Sequence, residues 1–253
     1  MQPPHTPTHP EPPGLADAAT CAPEQNASQP SRDDTADRLE MTRTQRAGSQ
    51  AAGSQRTGSQ RTGTEKTLHY TPEQMRARVA RFAELEALPI QTDSALGIAA
   101  RDVIYARKLL SVIGLEGNTH TPINRSAPIC GAGGITVTLA VCPPGQGPSL
   151  HNHAATFETF TVLQGRFEIS WNDDGDEHII LDRWDTISIP PGVCRAFRNL
   201  GPEEGVLQVI ISGGVHDMDD IAFRPSAAEA IAESSPEALE RFKAQGFRFD
   251  AGV

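Results

Sequence analysis

The sequence has no apolar run long enough to span a bilayer, no basic segment leading into an apolar stretch at its N-terminus, no CxxC pair and no surplus of positive charge. Each absence excludes something. A transmembrane helix needs roughly 20 consecutive apolar residues, and a secretory leader needs a basic n-region before its apolar core. The four cysteines, Cys21, Cys130, Cys142 and Cys194, lack the pairing of a zinc or redox motif. The last three sit in or beside apolar segments, where a thiol behaves as a small hydrophobe, so they read as buried thiols of a reducing compartment rather than disulfides. The net charge is −10. An acidic surface repels phosphate backbones and anionic lipid, which argues against nucleic acid and membrane as main partners. The expectation is a cytoplasmic protein that handles a small molecule.

Aliphatic runs are also missing from residues 1–66, where Pro, Gly, Ser, Thr, Gln and Ala dominate. Such a composition buries too little apolar surface to offset the entropy of ordering. Four five-residue units, RAGSQ, AAGSQ, RTGSQ and RTGTE, follow one another from Arg46 to Glu65. That period is too short for a packed repeat, so 1–66 reads as a disordered low-complexity tail. Its seven basic and eight acidic side chains leave most of the negative charge on the folded part.

Folded structure is expected as three blocks: a helix and strand extension over 67–129, a β-barrel over 130–215 and C-terminal helices over 216–253. Thr71, Pro72 and Gln74 form a helix-start signature. With Met75, Val79, Phe82 and Leu85 at helical spacing they predict a helix to about Ala87, ended by Pro89. Asp102 to Ile113 reads as strand. Beyond a glycine turn at Gly131–Gly134, Ile135 to Val141 alternates apolar residues with Thr136, Thr138 and Ala140, the pattern of a half-buried strand. Short strand patterns then follow at Leu150–Ala154, Glu158–Leu163, Arg166–Trp171, Glu177–Leu181, Thr186–Ile189, Arg195–Asn199 and Val206–Ser212, with a hairpin turn at Asn172-Asp173-Asp174-Gly175. Many short strands at this spacing mean an all-β sandwich or barrel. Helical patterns start at Ser226 and at Ser235-Pro236-Glu237.

His151 and His153 are separated by one residue. On a strand that spacing puts both imidazoles on one face. Glu158 opens the next strand pattern and can reach the same volume. Two neutral imidazoles and a carboxylate with open positions suit a divalent metal, iron(II) first, with manganese, nickel or zinc as alternatives.

This segment resembles the first signature of the cupin superfamily, G-x5-H-x-H-x3–4-E-x6-G, at every fixed position: Gly145, His151, His153, Glu158 and Gly165. The second signature, G-x5-P-x-G-x2-H-x3-N, is matched by Pro190, Gly192 and Asn199, while Trp184 replaces its first glycine and Arg195 its histidine. The resemblance implies a cupin-type antiparallel jelly-roll barrel and a homodimer paired through strand edges. It implies a metal-dependent enzyme on a small molecule, with oxygenase chemistry ahead of isomerisation or decarboxylation. A non-catalytic, metal-free cupin that binds a small ligand is the alternative, because the fold hosts many functions.

Arg195 stands where metal-binding cupins usually have a fourth protein ligand. A guanidinium has no lone pair to donate. Aimed at a divalent ion from about 4 Å, it would meet repulsion of roughly 8 kcal/mol at an effective dielectric near 20. Two arrangements follow. In the favoured one Arg195 turns away from a three-ligand metal and, at the barrel mouth, holds a substrate anion. In the other it fills a metal-free pocket and pairs with Glu158. Arg198 and His178 read as surface residues, and His216 as a reserve ligand or acid–base group. Phe157, Phe160, Phe167, Trp171 and Trp184 read as packing aromatics.

Overall fold

A computed structural model describes residues 68–116, 121–213 and 218–253. The segment 1–66, His120 and His216 lie outside the described residues. Eleven strands are described: β1 Lys108–Gly114, β2 Ile129–Cys130, β3 Ile135–Cys142, β4 His151–His153, β5 Phe157–Gln164, β6 Phe167–Trp171, β7 Glu177–Leu181, β8 Thr186–Ile189, β9 Arg195–Asn199, β10 Gly205–Ser212 and β11 Ile221–Phe223. They form one sheet in the order β2-β1-β3-β10-β5-β8 and another in the order β11-β4-β9-β6-β7. All pairings are antiparallel except β1 with β2. The inner faces meet in one core that includes Ala140, Phe160 and Leu207 from the first sheet and Phe167, Ile169 and Phe197 from the second. This is the all-β arrangement of short strands that their spacing predicts, and the jelly roll that the resemblance implies. Strands β1 and β11, which flank the 130–215 segment, belong to the sheets as well. The described residues from Pro72 to Val253 lie in one compact unit.

The alternation in β3 works the opposite way from a simple core strand. Val141 packs outward in a second cluster with Leu110 and Val206, supported by Leu85, Ala87, Leu139 and Leu163. Thr138 and Ala140 instead point inward and line a cavity. Both faces are buried, and the short side chains face the interior.

Two sequence expectations need correction. The helix expected to run to about Ala87 is only α1, Pro72–Arg76, followed by a 3-10 turn at Phe82–Glu84. Met75, Val79 and Phe82 stay largely exposed, so no partner surface extends the helix, and a short unpacked helix is marginal. Pro89 opens the next one, α2 at Pro89–Thr92. The strand expected over Asp102–Ile113 is split: its first part belongs to α3, Ile98–Ile104, and only the second is β1. Ala100 and Ile104, four apart on α3, bury against the C-terminal helices, a contact that local propensity does not reveal.

A short helix α4, Pro122–Ser126, follows β1 and is capped by Thr121. The C-terminal helices are α5, Pro225–Ser234, and α6, Pro236–Ala244. Ser235 caps α6, its side chain accepting from the Ala238 amide at 3.1 Å. Cys142 and Cys194 are free and buried, as expected. Cys130 is disulfide-bonded, which corrects its reading as a thiol; it lies half-buried at the end of a two-residue strand, without the apolar enclosure of Cys142. Phe160 and Phe167 are core residues, whereas Phe157 and Trp184 are exposed. No helix among the described residues is long and apolar enough to cross a membrane.

Candidate metal centre

The loop before β4 is built to lie against β9. A Cβ at Gly147 would run into the carbonyl oxygen of Phe197, so only glycine fits there. Register does the rest. His151 pairs with Arg195 across β4 and β9, and side chains directly opposite one another share a face. His153 is two residues on and shares that face too. Glu158 alternates with Phe160 and Val162 as the buried positions of β5, so it points inward from the opposite sheet.

Four groups meet around one oxygen atom. Glu158 Oε2 lies 3.7 Å from His151 Nε2 and 3.8 Å from His153 Nε2. Arg195 Nε donates to the same Oε2 at 2.7 Å. His151, His153 and Glu158 each offer a ligand atom within 4.8 Å of the others, and all three are buried. Arg195 is fully buried. Its second donor reaches the Val193 carbonyl at 3.2 Å, and its Nη2 has no partner among the described residues.

The imidazole tautomers follow from their other nitrogens. His151 Nδ1 lies 2.8 Å from the Ser149 carbonyl, which can only accept, so Nδ1 carries the proton. His153 Nδ1 lies 2.9 Å from Asp220 Oδ2. Burial pushes the Asp220 carboxyl up, but hydrogen bonds from His153, from the Thr156 hydroxyl at 2.6 Å and from the Ala155 amide at 2.6 Å hold it at about 2. Asp220 is therefore ionised, and His153 also donates from Nδ1. Burial pulls the His153 pKa down against the opposing charges of Glu158 and Asp220, which favours the neutral ring. Burial pushes the Glu158 carboxyl up, but the charge of the Arg195 guanidinium, the first among its neighbours, holds it well below the usual range, so Glu158 stays ionised.

A neutral ring with its proton on Nδ1 presents a lone pair at Nε2, and both Nε2 atoms face the Glu158 carboxylate at separations too long for a hydrogen bond. Acceptors facing acceptors in a buried site call for a cation among them. Histidines whose far nitrogens are fixed by a carbonyl and a carboxylate are the usual outer support of a metal centre. The donor set therefore fits a divalent ion, with Arg195 sharing one of its members.

His151, His153 and Glu158 also line a cavity of about 100 Å³. Apart from these three the wall is mainly apolar, including Leu109, Phe197, Val209, Ile211, Phe223 and Phe247. The Phe223 ring stacks on His151 at 5.1 Å.

Residues 138–211 match the family model described as the cupin domain. That segment is a cupin domain. No curated protein sequence matches it. Among solved structures, the cupin domain of Cnp3 from Schizosaccharomyces pombe is similar at 17% identity and a TM-score of 0.31, over 34% of this chain and 67% of that one. An uncharacterized protein with a double-stranded β-helix domain from Klebsiella pneumoniae is similar at 23% identity and a TM-score of 0.32, over 36% and 75%. A structure titled for the DMSP lyases RdDddP and RnDddQII is similar at 20% identity and a TM-score of 0.35, over 46% and 51%.

The cupin site departs from the sequence reading in one residue and adds two. Arg195 is not at the barrel mouth but buried against Glu158, away from the cavity wall, because its register partner His151 fixes it inside. Asp220 and Phe223, which contact the histidines, carry no signal of their own in the sequence. Both come from beyond the signatures, and no local pattern marks a residue 67 positions from the ring it holds. Arg198 pairs with Glu168 at the surface, and His178 is exposed.

Proposed function

We propose that this cupin is a metal-dependent enzyme acting on a small organic molecule. The observation that carries this reading is the convergence of two imidazole lone pairs and an ionised carboxylate at the floor of an apolar cavity. His151 and His153 would hold the ion as neutral ligands and Glu158 as the anionic one. Such an ion supplies Lewis acidity, and as iron(II) also positions for oxygen chemistry, with manganese, nickel or zinc as alternatives. The protein's own part is to fix both rings through Ser149 and Asp220 and to keep Glu158 ionised. The apolar wall receives the body of the substrate and excludes water. Oxygenase chemistry is our first reading and isomerisation or decarboxylation the second. A cytoplasmic homodimer is the state in which we expect it.

The test is elemental analysis of protein purified without chelator. Near-stoichiometric iron, manganese, nickel or zinc is expected in the wild type, and its loss in His151→Ala. Oxygen uptake by the loaded protein across a panel of small acids and alcohols then separates oxygenase from lyase or isomerase chemistry. A second reading, a non-catalytic cupin that binds its ligand without metal, is favoured by one observation: the 2.7 Å contact between Arg195 Nε and Glu158 Oε2. Metal-free wild-type protein that takes up no added ion would establish it.

A further inference from the structure

The buried charges at the centre do not balance once a divalent ion is counted. Glu158 and Asp220 count one negative charge each, Arg195 counts one positive charge, and an imidazole that ligates an ion through Nε2 counts none. A divalent ion among them leaves a surplus of one positive charge beside a cavity walled mainly by apolar side chains. A buried uncompensated charge is strongly unfavourable. A neutral residue at position 195 would leave no surplus. Arg195 itself is fully buried and holds an Nη2 donor without an acceptor among the described residues, so the guanidinium has hydrogen-bonding capacity left for an incoming oxygen.

We propose that Arg195 makes metal binding at this site dependent on a monoanionic co-ligand, and that the substrate is a small monocarboxylate with an apolar body. This rests on the metal reading above and deepens it. The carboxylate supplies the missing negative charge. The alkyl portion fills the cavity bounded by Leu109, Val209, Ile211 and Phe223. At about 100 Å³ the cavity is smaller than an engineered cavity of about 150 Å³ that binds benzene, which sets the scale at roughly four to six heavy atoms. Because Arg195 acts through the charge of the cluster, its role is to set the affinity of the site rather than to react.

Binding of cobalt(II), followed by its visible spectrum and by calorimetry, tests this with butyrate as the probe and butyramide as the neutral control. Wild-type protein should bind cobalt at least tenfold more tightly in saturating butyrate. By linkage, cobalt should tighten butyrate by the same factor. Butyramide should change cobalt affinity by less than twofold. Arg195→Met should bind cobalt at least tenfold more tightly than wild type without butyrate, and butyrate should then add less than threefold. Arg195→Lys, which keeps the charge, should retain the coupling, an outcome a purely structural role would not give. Arg195→Gln provides a second neutral variant should the methionine form fail to fold.

Butyrate without effect on wild-type cobalt affinity overturns the proposal. So does coupling that survives in the neutral variants, or an equal effect of butyramide. Cobalt binding to neither wild type nor the neutral variants overturns the metal reading itself, and the proposal with it.

Discussion

His153 Nδ1 stands 2.9 Å from Asp220 Oδ2, joining the second ligand of the cupin signature to a carboxylate 67 residues later in the chain. Asp220 also accepts from the Thr156 hydroxyl and the Ala155 amide, so it ties the turn after β4 to the ring it orients. Asp220→Asn keeps the shape and removes the charge. We expect metal affinity to fall by about 10- to 100-fold, with the far-ultraviolet circular dichroism unchanged. Calorimetric titration of both proteins with one metal checks it.

The same carboxylate predicts how the fold responds to acid. Its pKa of about 2 lies below the ordinary value of 3.8. A depressed folded-state pKa stabilises fully above the unfolded value and loses that contribution as pH falls through the folded one. The urea midpoint of the metal-free protein should therefore drop between about pH 4 and pH 2. Asp220→Asn should make that limb shallower. Equal slopes in the two proteins would sink this.

The inward face of β3 carries Thr138 beside Ala140, and the space they leave is part of the cavity. Thr138→Leu should place its extra carbons there, so we expect a stability cost below about 1.5 kcal/mol. Leu207→Ala, in the packed part of the core, should cost about 2–5 kcal/mol. Urea unfolding distinguishes the two. Butyrate binding should be lost in Thr138→Leu.

Trp184 occupies the first glycine position of the second cupin signature, with φ at +78°. A bulky residue in that region is strained. The residue is 65% exposed, and the Arg183 guanidinium lies over its ring, 4.8 Å from the centroid. Such an exposed cation–π contact is worth about 0.5–1 kcal/mol, against strain on the order of 1–3 kcal/mol. Trp184→Gly should accordingly raise the thermal midpoint slightly. A fall of several degrees would show that the ring does more than the backbone loses.

Much of this was legible from side-chain order alone, and the reasons are specific. β7, β8 and β9 have the bounds that alternation and turn residues predict, because hairpin strands are defined by local pattern. The convergence of His151, His153 and Glu158 was legible because they lie within eight residues, where strand periodicity fixes facing. Arg195 was legible as an anomaly but not in its place. Whether it turned away or paired with Glu158 depended on cross-strand register, which a single strand does not encode. The outward packing of Val141 was hidden for a related reason: β3 is covered by the segment around Leu85 and Leu110, so both its faces are buried and alternation cannot say which is inside. Asp220 and Phe223 were invisible because nothing local sets them apart from loop and strand residues elsewhere.

The ligand-bearing strand β4 is flanked by β11, where Phe223 pairs in register with His151 just after Asp220 reaches His153. During synthesis the ribosome delivers β3 to β10 before either of these residues has emerged. Until then His153 lacks the Asp220 carboxylate and His151 lacks the Phe223 ring. The support of both rings is therefore complete only once β11 is in place.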